Sequence, residues 1–203
     1  MSTTGTFSKL KEQEKDARKN IIIDAAEKEF ASKPFTKVNM RDIARIAGIS
    51  PASIYRYFPD QQSLFVEAFV RGTREIFQKL HDFVEESTDG SIETVTDEFI
   101  DYFTRNDQYF RMMMHFFLND SVDADTFEKL STLERQLLGD FDSIFKKMNF
   151  QGDYRIMAHT LFASLVGIMA TFRNHPAKNA DEELAHRKKV GAILANLFKS
   201  GIG

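Results

Sequence analysis

Four side chains in one short stretch have types and spacing suited to reading a nucleic acid. Ser53, Tyr55, Arg56 and Tyr57 lie within PASIYRY, residues 51–57. Serine donates to and accepts from base edges, and arginine and tyrosine reach base edges or phosphate oxygens. Pro51 and Ala52 at the start of the run are small or rigid, which allows close backbone approach to base edges, and Ala52 suits a thymine methyl. Arg56, Tyr57 and Arg41 are placed for phosphates. Other chemistries find little support. There is no cysteine, so disulfides and thiolate metal sites are excluded. The histidines at 81, 115, 159, 175 and 186 do not pair at metal-ligand spacing. Glycine-rich phosphate loops, Gly-x-Ser-x-Gly elbows and His-Glu-x-x-His motifs are missing. The sequence therefore predicts neither enzyme activity, nor a metal, nor a cofactor.

To present residues 51–57 outward, the chain must hold a short helix against a partner. Residues 40–58 meet the demands of a helix-turn-helix. Asn39 can cap a helix over 40–47, with Asp42 at its third position. Ala44 is small where two helices cross closely, and Gly48 can take a positive φ in the turn. Ser50-Pro51 supplies an N-cap followed by proline at the first helical position. Ile43, Ala47, Ile49 and Ile54 pin the two helices, with Met40 and Phe58 at the ends.

Around this motif the periodicity predicts an all-α chain. A helix over 15–32 carries Ile22, Ile23, Ala26 and Phe30 on one face. Asp60 caps a long helix over 61–87, and further helices are expected at 91–105, 107–119, 124–148, 153–175 and 181–199, with breaks at Asp89-Gly90, Gly152-Asp153 and His175-Pro176. Residues 1–14 read as a flexible N-terminal arm, 15–60 as a three-helix DNA-binding head, and 61–203 as a C-terminal helical bundle for ligand binding and dimerisation. Residues 1–60 hold eleven Lys/Arg against eight Asp/Glu, net +3, and the remainder holds 16 against 22, net −6. A mildly basic head on an acidic body suits a DNA reader. Neither an 18-residue apolar run nor a signal sequence is present, so a cytoplasmic protein without membrane contact is expected. The Asn119-Asp120-Ser121 triplet carries no weight without secretion.

The run IIIDAAEKEFASKPFTKVNMRDIARIAGISPASIYRYFPDQQSLFVEAF resembles the N-terminal domain of the tetracycline-repressor (TetR) family. Matching elements are Ile22 to Phe30, Met40 to Ala44, Ala47 to Ser50, and Ile54 to Phe58. The resemblance implies a homodimer on a palindromic double-stranded operator, most often a repressor, released by a ligand in the C-terminal domain. It also implies that Pro51, Ala52, Ser53, Tyr55 and Arg56 contact DNA, with Tyr57 and Asn39 on its backbone. Where many members have a phosphate-binding lysine after the cap of the fourth helix, this chain has Gln61, which is counted among the DNA-contacting residues at that position but lacks the charge. The lysines at 9, 11, 15 and 19 could supply the missing charge.

A single helix-turn-helix reads few base pairs, which itself calls for a dimer with half-sites about one helical turn apart. Ala163, Gly167 and Ala170, with Leu194, Leu197 and Phe198, are the interface candidates; burial within their own domain is the alternative. The run YFRMMMHFFL, residues 109–118, is unusual because three consecutive methionines do not share one helical face. Phe99, Phe103, Phe110, Met113, Met114, Phe117, Phe141, Phe145 and Phe162 are expected to line an adaptable pocket for a hydrophobic small-molecule effector. Arg105, Arg111, His115 and His159 are candidates for orienting it. A contrasting reading is a helical small-molecule-binding protein whose helix-turn-helix packs against protein.

Overall fold

The computed structural model describes residues 3–118, 123–173 and 179–201. The His175-Pro176 break and the Asn119-Asp120-Ser121 triplet lie outside them. Among the described residues all regular structure is helical: α1 (Thr3–Ser32), α2 (Met40–Ala47), α3 (Pro51–Tyr55), α4 (Gln61–Glu86), α5 (Ile92–Arg105), α6 (Asp107–Phe117), α7 (Ala124–Lys147), α8 (Tyr154–Thr171) and α9 (Ala180–Ser200). A single 3-10 turn, Phe35–Lys37, follows Pro34. Helix starts follow their caps. Asn39, Asp153 and Asn179 each accept a backbone N–H of the first turn, and Asp60 accepts from the Ser63 amide at 2.7 Å.

The N-terminal stretch read as an arm is helical from Thr3. Its lysines, glutamates and glutamine favour helix, and no proline interrupts before Pro34. Residues 7–18 are exposed throughout, so no apolar periodicity marks them.

The chain forms two compact units. The first comprises α1 to α3, the start of α4 up to Gly72, and 111–127 where described; the second comprises 73–110 and 128–203 where described. In the first, Ile22, Ala26, Phe30, Ile43, Ala44, Ile54, Phe58, Leu64 and Phe65 are buried. The end of α6 completes this core. Arg111 donates to the Ala31 carbonyl at 2.7 Å and the Phe30 carbonyl at 3.4 Å, satisfying acceptors that the end of α1 leaves open. The His115 ring lies 4.3 Å from Phe35 and 5.2 Å from Phe65, centroid to centroid. Burial holds its pKa below the ordinary imidazole value.

In the second unit α5 packs closely on α9. Gly191 makes this possible, since a Cβ there would collide with Ile100 and Thr96. Gly90 takes φ 84° beside the Ile144 backbone, where a side chain would not fit. The Lys147 ammonium donates to the carbonyls of Val84, Glu85 and Ser87 at 2.5, 2.9 and 3.1 Å. It thereby caps the C-terminus of α4 with a charge of favourable sign.

Candidate nucleic-acid interface

The helix-turn-helix is built by local bonds. Asn39 Oδ1 accepts the Asp42 amide at 2.9 Å, and its Nδ2 donates to the Asp42 carboxylate at 2.9 Å. Lys33, then Asn39 and Arg45, hold that carboxylate below its ordinary pKa. Gly48 ends α2 at φ 69°, ψ 28°, its N–H bonded to the Ala44 and Arg45 carbonyls. Ser50 then caps α3, accepting the Ser53 amide at 3.2 Å, with Pro51 in the first turn. Ile54 and Phe58 are buried and anchor the helix. Because they are fixed, the rest of α3 must face outward.

Pro51 and Ala52 are exposed at the tip, and Ser53 is half-buried beside them. The Ser53 hydroxyl lies 2.9 Å from the Ser50 hydroxyl. Tyr55 is 51% exposed although aromatic, which gives its ring an unpaired apolar face. Arg56, Arg41 and Asn39 are also exposed, and Tyr57 is half-buried. Pro51, Ala52, Ser53, Tyr55 and Arg56 thus lie on one short segment, with Arg41 and Asn39 on the preceding helix and its cap.

Gln61 behaves differently. Its side-chain amide donates 2.8 Å to the Phe35 carbonyl, so it is engaged with the head's own backbone. The Asp60 carboxylate caps the adjoining N-terminus, placing negative charge where a phosphate would sit. The Asp60 cap was legible in sequence, but the Gln61 partner was not, because the Phe35 carbonyl is distant along the chain.

Several other cations of this unit are internally paired. Lys19 meets Glu67 at 3.0 Å, Lys33 meets Glu29 at 2.6 Å, and Arg71 bridges Asp24 and Glu27 at 2.6 and 2.7 Å. Arg18 meets Glu14 at 2.6 Å, and Glu14 followed by Tyr57 raises its pKa. Arg56 lines a surface groove with Tyr57, faced across by Ser8, Lys11, Lys15 and Arg18 of α1.

The body residues singled out by sequence divide. Phe99, Phe103 and Phe110 are buried as one cluster, with ring centroids 4.7 and 6.4 Å apart and half-buried Phe162 6.5 Å from Phe99. Phe141 and Phe145 are buried, Phe145 facing Phe198 at 5.4 Å. Met113 is buried, Met114 is half-buried, and both belong to the first unit, as does Phe117. Phe117 is 51% exposed, which corrects its assignment to an enclosed pocket: it is the last residue of α6, beyond the packed turns. The polar candidates also need correction. Arg105 pairs with Asp101 at 2.7 Å, Arg111 is bound to α1, His115 lies among head aromatics, and His159 is exposed on α8. The buried cation missed by sequence is Arg187, which meets Thr104 at 2.9 Å and also pairs with Glu183. Its spacing with Gly191, Ala195 and Phe198 marks the inner face of α9 and could have revealed it.

Ala163, Gly167 and Ala170 lie exposed along one stripe of α8 with Ile156, which is 61% exposed. On α9, Ile193 and Leu197 are 60% and 64% exposed and Leu194 is half-buried. Phe198 does not join them. It is buried in its own unit, because it lies one residue, about 100° of helix, away from Leu197.

Residues 22–68 match the family described as bacterial regulatory proteins, tetR family. An uncharacterised HTH-type transcriptional regulator of Haemophilus influenzae is 23% identical over 88% of this chain and 85% of its own length. A corresponding regulator of Mycobacterium tuberculosis is 40% identical over 68 residues, 32% of this chain and 34% of that protein. Among solved structures, the transcriptional regulator FadR of Bacillus subtilis in complex with stearoyl-CoA superposes with a TM-score of 0.71 at 16% identity, covering 86% of this chain and 96% of that one. The fatty acid degradation regulator FadR of Bacillus halodurans gives 0.68 at 18% identity, covering 87% and 97%. These structures share the fold.

Proposed function

We propose that this chain, whose residues 22–68 match the tetR family, is a transcriptional regulator of that kind, a dimeric repressor released from its operator by a hydrophobic small molecule. One observation carries the DNA reading: α3 is capped by Ser50 and anchored by buried Ile54, and it presents Ser53, Tyr55 and Arg56 outward. Ala52, Ser53 and Tyr55 read base edges. Arg41, Arg56, Tyr57 and Asn39 hold the backbone, which positions the protein without specifying sequence. Gln61 contributes nothing to phosphate, its amide being engaged at Phe35.

Two copies pair through the outer faces of α8 and α9, around Ala163, Gly167, Ala170, Leu194 and Leu197. The exposed Ile156, Ile193 and Leu197 support this, as three large apolar side chains on two neighbouring helices favour an interface over solvent. The effector binds among the aromatic side chains of the second unit, near Phe99, Phe103, Phe110 and Phe162. A long acyl chain is the chemistry proposed, supported by the stearoyl-CoA complex of the B. subtilis neighbour and by this cluster. Release runs through α4, α6 and α7, the helices that contribute to both units. Liganded and free dimers with the same separation of recognition helices would exclude that route.

Ser53→Ala and Tyr55→Ala test the recognition helix. Removing a side chain that reads a base costs about 1–3 kcal/mol, roughly 5- to 150-fold in affinity. Thermal melting stays unchanged, because neither side chain fills the core. Operator affinity unaltered in both variants would overturn the reading. For the effector, the chain has no tryptophan, so Phe162→Trp provides a single reporter. Titration with palmitoyl- or stearoyl-CoA should shift its emission and weaken operator binding; acyl compounds that do neither would overturn the acyl assignment.

A further inference from the structure

We propose that the N-terminal turns of α1 form a second DNA contact, in which Lys11 and Lys15 bind the phosphate backbone beside the recognition helix. This rests on the DNA-binding reading above. Ser8, Lys11 and Lys15 recur at three- and four-residue spacing, so they share one face of α1. That face and Arg18 form one side of a groove whose other side is Arg56 and Tyr57. A backbone strand contacted by Arg56 and Tyr57 therefore runs along this face.

Charge pairing separates these groove-lining lysines from the paired cations of the same unit. Lys19, Lys33 and Arg71 hold carboxylates within the same unit, whereas Lys11 and Lys15 are exposed and have no ion-pair partner among the described residues. The start of α4 offers a phosphate little, with the Asp60 carboxylate at its cap and the Gln61 amide on Phe35. From Lys11 to Arg18 the helix rises about 10 Å, comparable to the rise along the duplex axis of roughly three phosphates of one strand at 3.4 Å each. Carboxylates also border the groove. Glu14 is held by Arg18, while Glu12 and Asp16 oppose a phosphate and temper the affinity.

The probe is a duplex recovered from a random-sequence pool by selection with the full-length protein, with a scrambled duplex as reference. Affinity is measured by anisotropy across salt concentrations. Each phosphate contact contributes about 0.9 to the slope of log affinity against log salt. Lys11→Ala/Lys15→Ala should therefore flatten the slope by about 1.8. Between about 50 and about 200 mM salt, the variant should lose roughly 12-fold less affinity than the parent. The ratio of selected to scrambled affinity should not change, since phosphate contacts carry no sequence information. Lys11→Arg/Lys15→Arg should retain the slope, and Glu12→Gln/Asp16→Asn should bind both duplexes more tightly. Circular dichroism checks that α1 remains helical. An unchanged slope in the alanine pair, with Arg56→Ala flattening it, would overturn this proposal and leave the recognition helix standing. Unchanged binding in Arg56→Ala, Ser53→Ala and Tyr55→Ala as well would overturn the DNA-binding reading itself.

Discussion

Replacing Gly167 by leucine should act in opposite directions on the protomer and on the dimer. Gly167 lies in α8, and a Cβ built on it meets nothing within 4 Å. Within one protomer the change therefore removes a helix-interior glycine without a clash. Leucine favours helix over glycine by about 0.7 kcal/mol, so the isolated fold should become slightly more stable. If the α8 stripe lies against its two-fold mate, the added side chain enters the interface twice, once from each protomer. Overpacking costs about 1–3 kcal/mol per site, or about 2–6 kcal/mol for the symmetric pair. Leu197→Ala provides the companion measurement. Full burial of a leucine contributes about 1.5–3 kcal/mol. With 64% of this residue exposed in the protomer, dimerisation can recover about two-thirds of that, or about 1–2 kcal/mol. Two copies give about 2–4 kcal/mol, roughly 30- to 700-fold in dimer dissociation. Sedimentation equilibrium over a dilution series measures the dissociation constant, and circular dichroism follows the fold. Dimers of parental strength in both variants would refute the α8/α9 interface. Loss of helicity in Gly167→Leu would refute the packing argument.

Gly48→Ala should destabilise the head by about 1–2 kcal/mol, the cost of the left-handed region for an L-residue, since a Cβ there meets no neighbour. Gly48→Asn should recover part of that loss; equal denaturation midpoints for all three proteins would mean that the turn does not depend on φ 69°. The His81 imidazole lies 2.7 Å from the Asp140 carboxylate, and the hydrogen bond and charge of Asp140 raise its pKa above 6.5. That stabilisation is present below the unfolded value and is lost as pH rises through the folded one. Asp140 itself is raised, chiefly by burial, which its hydrogen bond to His81 opposes. Melting temperature should thus fall between about pH 6 and about pH 8 more in the parent than in His81→Gln; identical pH profiles would exclude the pair as the source.

What sequence made legible was local. Asn39, Ser50-Pro51 and Asp60 satisfy amides within their own helix turn, and Gly48 relieves a steric conflict at its own position. Each boundary follows from a few adjacent residues. What stayed hidden depends on distant partners. The Gln61 amide reaches Phe35, Arg111 reaches the end of α1, and Lys147 reaches the end of α4. Residues 7–18 of α1 left no periodic signal because they are exposed throughout. Leu197 and Phe198 are both large and apolar, so composition assigned both to one interface. Only the packing of Phe198 on Phe145 separates the outer face of α9 from its inner one.

The methionine- and phenylalanine-rich run takes on a different meaning once its residues are placed. Read as composition, 109–118 suggested the wall of one adaptable cavity. In the fold, Phe110 joins Phe103 and Phe99 of the body, whereas His115 and Phe116 pack on Phe65 of the head at 5.2 and 5.1 Å. One helix, α6, therefore supplies aromatic groups to both units within two turns. Its Arg111, between these groups, is spent on the last carbonyls of α1. An effector seated as proposed, beside Phe103 and Phe110, would have to be accommodated by a helix whose next turns are part of the head's core. Close-packed cores respond to added volume by shifting between discrete arrangements rather than by yielding locally. On the function proposed, conditional DNA binding would rest less on a spacious, greasy pocket than on the sharing of one helix between two cores.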